Sequence, residues 1–186
     1  VIQLDHEAAV SRLNSALGLQ GDSLLDPVVP PHTYVGNIED MVPGECILLL
    51  GINPKRNYDD NFQRVNIELP LRCLAEYRQT GDMKSLDDWL SFQNEYFLRE
   101  ERNRRYFNKY GKWLGKHWFE DTVKKYEHLD SNQMVCHEHL IEVDTVQYFS
   151  HKTGLDSEKL ADLIETDSAL QANMKMIEAI ISKIKP

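Results

Sequence analysis

The residues best suited to chemistry stand in one stretch, Glu45–Tyr58, written ECILLLGINPKRNY. An apolar run of strand length, Cys46–Leu50, stops at Gly51-Ile52-Asn53-Pro54, and Lys55, Arg56 and Tyr58 follow at once. Pro54 fixes its own φ and holds Asn53 extended, so the loop is rigid and the Asn53 carboxamide has a set position. Gly51 admits a turn that a side chain would resist. An amide is no base at neutral pH, but it can orient a water and stabilise a developing dipole. Lys55 and Arg56 are placed to meet phosphates. The same residues also suit a plain strand-terminating turn, since a four-residue motif is a weak signal.

Three other stretches carry candidate chemistry. Gly21-Asp-Ser-Leu24 resembles the opening of lipase-like hydrolases, which set a serine nucleophile after a strand; here a helix end precedes it, and no late Asp-x-x-His follows. Cys136-His-Glu-His139 would put His137 and His139 on one face of a strand, a spacing a metal can use, but no third ligand is nearby and solvent-facing histidines fit as well. Arg99–His117 holds seven Arg or Lys against two Glu, interleaved with Tyr106, Phe107, Tyr110 and Trp113. Cations for phosphates and aromatics for bases are what single-strand binders use. Equally, Tyr106, Tyr110 and Trp113 at i, i+4 and i+7 read as a core-facing stripe with the cations on the wet face.

These residues need elements to hold them. Leu4–Leu17 has a weak helical period closed by Gly18. Asp26–Pro31, with three prolines, is a loop. Cys46–Leu50 is continuously apolar, which suits a strand covered on both faces. Ser85–Arg104 reads as helix, with Ser85 as N-cap and Trp89, Phe92, Tyr96 and Phe97 at helical spacing. A second helix covers Arg105–Glu120, with Gly111 or Gly115 as a break. His139–Phe149 reads as a strand, rich in β-branched and aromatic residues. Leu155–Lys185 is helical in one piece or two, with Asp156 or Ser157 capping its start and Thr166 or Asp167 restarting it. Strands separated by helical crossovers imply an α/β fold with a largely parallel sheet.

The string LLLGINP resembles the first active-site motif of the uracil-DNA glycosylase superfamily: an apolar strand, then Gly, any residue, Asp or Asn, then Pro. Asn53 matches the branches that carry Asn. The strand Ile141–Ser150 is similar to one that many members show after a helical insertion. The resemblance implies a three-layer α/β/α sandwich around a short, mostly parallel sheet over residues 44–186, with a helical insertion at 83–120, behind an N-terminal helix and Pro-rich lead-in over residues 1–43. It implies that Asn53 positions a water for attack at the sugar C1′ of a flipped base. Gly51, Ile52, Pro54, Tyr58 and Phe62 would form the base pocket. DNA would be held by Lys55, Arg56, Arg104, Arg105, Lys109 and Lys112. The alternative is a non-catalytic relative that binds nucleic acid or nucleotide, or a scaffold. Lys55 stands where several Asn-type members have Gly, and the superfamily's second motif, a late His before Pro and Ser, does not occur. Two confident strands are too few for a covered parallel sheet. The sequence therefore predicts a domain truncated at its C-terminus or completed by a partner chain, unless Val28–Val35 or Asn66–Leu71 supplies strands.

The 186 residues are 41% hydrophobic and 27% charged, which fits a globular domain rather than a disordered chain. A net charge of −9 excludes whole-surface affinity for nucleic acid, so such binding needs a local basic patch. No apolar run is long enough to span a bilayer. Cys46, Cys73 and Cys136, odd in number and far apart, read as free thiols of a reducing cytoplasm. No cofactor or metal is called for, and nucleic acid, possibly single-stranded, is the expected partner.

Overall fold

The computed structural model describes residues 2–19, 21, 24–151, 155 and 157–186. About 60% of it is helical, around a short two-stranded parallel sheet, so the fold is α/β. The order is α1 (Ile2–Leu17), β1 (Ile47–Gly51), α2 (Asp60–Gln63), α3 (Leu69–Thr80), α4 (Asp87–Asn94), α5 (Arg104–His117), α6 (Glu120–Lys125), α7 (Ser131–His139), β2 (Leu140–Asp144), α8 (Ser157–Thr166) and α9 (Ser168–Ile184). Among the described residues no helix is long and apolar enough to cross a membrane.

Contacts divide the chain into two units, each made of three segments: Val1–Thr33, Leu50–Trp89 and Val143–Ala179 form the first, and Tyr34–Leu49, Leu90–Glu142 and Ile180–Pro186 the second. The first unit packs Val10, Leu13 and Leu17 of α1 against Leu25, Val146, Leu160 and Leu170. Gly18 closes α1 with φ +63°, a conformation glycine adopts without strain. Asp167 separates α8 from α9 and caps the latter, its Oδ1 accepting from the backbone N–H of Ala169 (2.9 Å) and Leu170 (3.3 Å). Arg12 holds that carboxylate through Nε (2.5 Å) and Nη2 (3.2 Å), and the bond draws the Asp167 pKa below its ordinary value.

The second unit has an aromatic core, with Phe97 and Phe107 edge to face at 5.0 Å among Leu114, Val135, Cys136 and Leu140. α5 is not broken at its glycines; it runs through both. A Cβ at Gly111 would fall inside the van der Waals shell of the Asn132 carbonyl oxygen of α7, and one at Gly115 would crowd Val123 and Val135. The glycines are there so that α5 and α7 can approach closely. Gly111→Ala should therefore lose about 2 kcal/mol in urea unfolding, overpacking outweighing the gain in helix propensity; an unchanged midpoint would show that the helices can part freely.

Several sequence expectations are corrected. Ser85–Arg104 is not one helix: α4 ends at Asn94, a 3₁₀ turn covers Tyr96–Leu98, and the Asn103 side chain caps α5 by accepting from Tyr106 N–H (3.1 Å). The buried face of α5 is Phe107, Gly111, Leu114 and Gly115, whereas Trp113 is exposed. Cys136–His139 is helical, so His137 and His139 do not share a strand face. The His139 ring stacks on Phe119 at 3.7 Å, Nδ1–H donates to the Glu45 carbonyl (2.8 Å) and Nε2 meets the Thr122 hydroxyl (2.8 Å), which makes it a structural histidine. Asn66–Leu71 is helical, with Pro70 at the start of α3, where its missing N–H costs nothing. β1 is half-buried, with Leu50 exposed, while β2 is the buried strand.

Among the described residues the sheet has no further strand. The lead-in lies antiparallel beside β2 through single bridges, Leu25 to Ser150 in the first unit and Val35 to Glu142 in the second. Asp26 N–H donates to Phe149 O (2.7 Å), and His32 N–H to Gln147 O (2.7 Å). Pro27, Pro30 and Pro31 lack N–H groups, which keeps this segment from becoming a continuous strand. The three cysteines are free, as their number and spacing suggested, and all are buried. The candidate nucleophile Ser23 and the candidate cap Asp156 lie outside the described residues.

Candidate functional site

The carboxyl ends of β1 and β2 lie together in the first unit. Thr145 N–H donates to Gly51 O (3.0 Å), and Val146 N–H to Ile52 O (2.8 Å). Gly51 takes no left-handed φ; its part in the turn is its carbonyl, which also accepts from the Thr145 hydroxyl (3.1 Å). Beyond it the loop stays paired. Ser150 N–H donates to Pro54 O (3.0 Å), and Arg56 N–H returns to Ser150 O (2.8 Å). Sharp turn and rigid loop are thus one structure, stitched by backbone bonds to Ser150.

Asn53 sits inside that stitch and is 6% exposed. Its Nδ2 donates to Ser150 Oγ (2.6 Å) and to Pro54 O (3.2 Å). A carbonyl can only accept, so the atom facing Pro54 O is the NH₂ and the orientation of the amide is settled. Its Oδ1 is buried with no partner among the described residues. A buried acceptor left bare costs about 1–3 kcal/mol, and such groups are commonly satisfied by an ordered water or a ligand.

The other expected site residues part company. Tyr58 is 68% exposed, its ring parallel to that of His151 at 6.0 Å, its hydroxyl bonded to His151 Nδ1, and the Arg56 guanidinium 4.9 Å from its centroid. Phe62 is half-buried instead, edge to face with Phe149 at 5.1 Å, beside Val29 and Ile67. Ile52 and Lys55 are exposed and Pro54 is half-buried. Arg56 is not a free phosphate ligand: its Nη1 pairs with Asp26, which is buried. Because the Arg56 side chain is 20% exposed, Arg56→Ala should cost about 2–3 kcal/mol by stranding that carboxylate, and Asp26→Asn in the same chain should recover most of the loss. Equal stability of the single and double variants in urea would show the pair to be idle.

A second group at the same sheet end was invisible in the sequence. His32 and Asp144 bring a ring nitrogen and a carboxylate oxygen within 4.8 Å of one another. Asp144 is buried with no hydrogen bond or ion pair among the described residues, and burial pushes its pKa up to about 7. Burial drives His32 down to about 4, its ring lying edge-on to Phe149 at 5.7 Å. No hydrogen bond joins them among the described residues, but both could ligate one divalent cation at this separation. Ser150, His151, Asp26, His32 and Asp144 were all missed by sequence reasoning, and only the direct succession Ser150-His151 after an apolar run offered a signal.

Away from this site, a cavity of about 420 Å³ opens in the first unit beside His6, Arg12, Tyr148 and Ser168, and one of about 380 Å³ in the second around Glu138 and His139. The α5 cations Arg104, Arg105, Lys109 and Lys112 are exposed and belong to the second unit. No family model, curated protein or solved structure matches this chain.

Proposed function

We propose that this chain hydrolyses the N-glycosidic bond of a nucleobase in DNA, with Asn53 holding the attacking water. The bare Oδ1 of a buried, immobilised Asn53 at a strand's carboxyl end carries this reading, because ligands of α/β sheets gather there. A water that donates to Oδ1 turns a lone pair outward. When the leaving base departs through an oxocarbenium-like state, orientation matters more than basicity, so a carboxamide suffices. His151 would supply the imidazole that stabilises the departing base, in place of the absent second-motif histidine. Tyr58, locked by His151 and Arg56, would face the flipped base, whose extrusion costs a few kcal/mol. Lys55 would meet a phosphate. Such an enzyme serves DNA repair, and three buried thiols suit a cytoplasmic setting. The second reading, a non-catalytic nucleic-acid binder, is favoured by the cations of α5.

The test is incubation with oligonucleotides carrying uracil, hypoxanthine or a mismatch, followed by alkaline scission of abasic sites. Cleavage of any substrate by the wild type and not by Asn53→Ala supports the proposal. Intact strands at excess protein refute it.

A further inference from the structure

We propose that the exposed face of α5, with Trp113 and Trp118, is a binding surface for single-stranded nucleic acid. Arg105, Lys109, Lys112 and Lys116 follow one another at intervals of four, three and four residues, so they form one stripe along the helix. The stripe is about 16 Å long at helical rise. None of the four, nor Arg104, has an ion pair among the described residues. By contrast, Arg99 and Arg102 just upstream are tied to Glu95 (2.8 Å) and Asp130 (3.1 Å). α5 holds no acidic residue, and the nearest downstream acids, Glu120 and Asp121, are engaged by Lys124 at 3.2 and 3.8 Å. Like charges one turn apart weaken a helix. In a chain of net charge −9 they are not needed for solubility, so the stripe is complementary to a polyanion.

The aromatic neighbours narrow the polyanion. Trp113 is 51% and Trp118 58% exposed, edge to face at 5.0 Å, with His117 5.0 Å from Trp113. Half-exposed indoles beside a row of cations offer stacking surface for unpaired bases, which a duplex keeps to itself. An anionic membrane also attracts Lys and Trp, but a helix lying in a bilayer interface must bury its whole apolar face. Here that face, Phe107, Gly111, Leu114 and Gly115, is already packed in the core of the second unit.

Binding here does not depend on Asn53, so its failure and the failure of base hydrolysis are read separately. The probe is fluorescein-labelled (dT)15, followed by anisotropy and tryptophan quenching, with phosphatidylserine vesicles in parallel. Trp113→Ala and Trp118→Ala should each weaken binding about tenfold. Lys112→Gln with Lys116→Gln should lower the slope of log affinity against log salt by about 1.4. All these side chains are exposed, so folding by circular dichroism should be unchanged. Affinity and slope unmoved by the α5 variants, or quenching by vesicles but not by (dT)15, would each overturn the assignment.

Discussion

Replacing Asn53 by alanine should reduce base release by about 10²–10³-fold while leaving the fold intact. The magnitude is that of removing one preorganised polar group aimed at the reacting centre. The separation of activity from stability follows from the geometry. The Asn53 Nδ2 has two protein acceptors, Ser150 Oγ and Pro54 O, and its Oδ1 has none among the described residues. Alanine removes two modest hydrogen bonds together with one unsatisfied buried acceptor, and these effects oppose each other. The thermal midpoint should therefore shift little. Asn53→Asp keeps an oxygen where Oδ1 stands but sets a second oxygen against Pro54 O, which can only accept, so it should lose both rate and stability. An Asn53→Ala protein with wild-type release would sink the catalytic assignment, whereas a protein that unfolds would show Asn53 to be a structural peg.

Asp144→Asn should stabilise the protein at pH 8 by about 2–4 kcal/mol and change it little at pH 4. An aspartate in an unfolded chain titrates near 3.9, whereas burial without a partner raises Asp144 to about 7. The folded form therefore binds a proton that the unfolded form has released between roughly pH 4 and 7. Stability is highest below that window, falls as pH rises through it, and stays low above. Asparagine has nothing to ionise, so its advantage grows over the same window. His32 acts at the other end: with its pKa lowered to about 4, the unfolded chain binds the proton first, and stability is lost as pH falls from about 6.5 toward 4. Urea unfolding of both proteins at pH 4, 6 and 8 checks this. A gap that does not widen with pH would mean that Asp144 is ionised in the folded state, held by a cation or donor.

Local signals were legible in the sequence because they depend on neighbours along the chain. Gly18 ends α1, Asp167 divides the C-terminal helices, β1 stops at Gly51 with Asn53 just past it, and helices separate the two strands, which is enough to give an α/β fold. Periodicity failed where burial is not one-sided. α7 has buried and half-buried residues all round, so Cys136–His139 passed for a strand start. The aromatic residues of α5 are also equally spaced whichever way the helix is turned. Only packing against α7, which needs Gly111 bare, sets Phe107 inside and Trp113 outside. Prolines hid the pairing of the lead-in with β2, because they permit single bridges and forbid a ladder. The surroundings of the candidate site residues are set at the longest range. Arg56 finds Asp26 thirty residues away, and Asn53 finds Ser150 ninety-seven away. Whether a cation is spent on a buried carboxylate or left for a phosphate, and whether an amide oxygen is satisfied or bare, depends on which distant side chains arrive beside it, and that is decided by the tertiary structure alone.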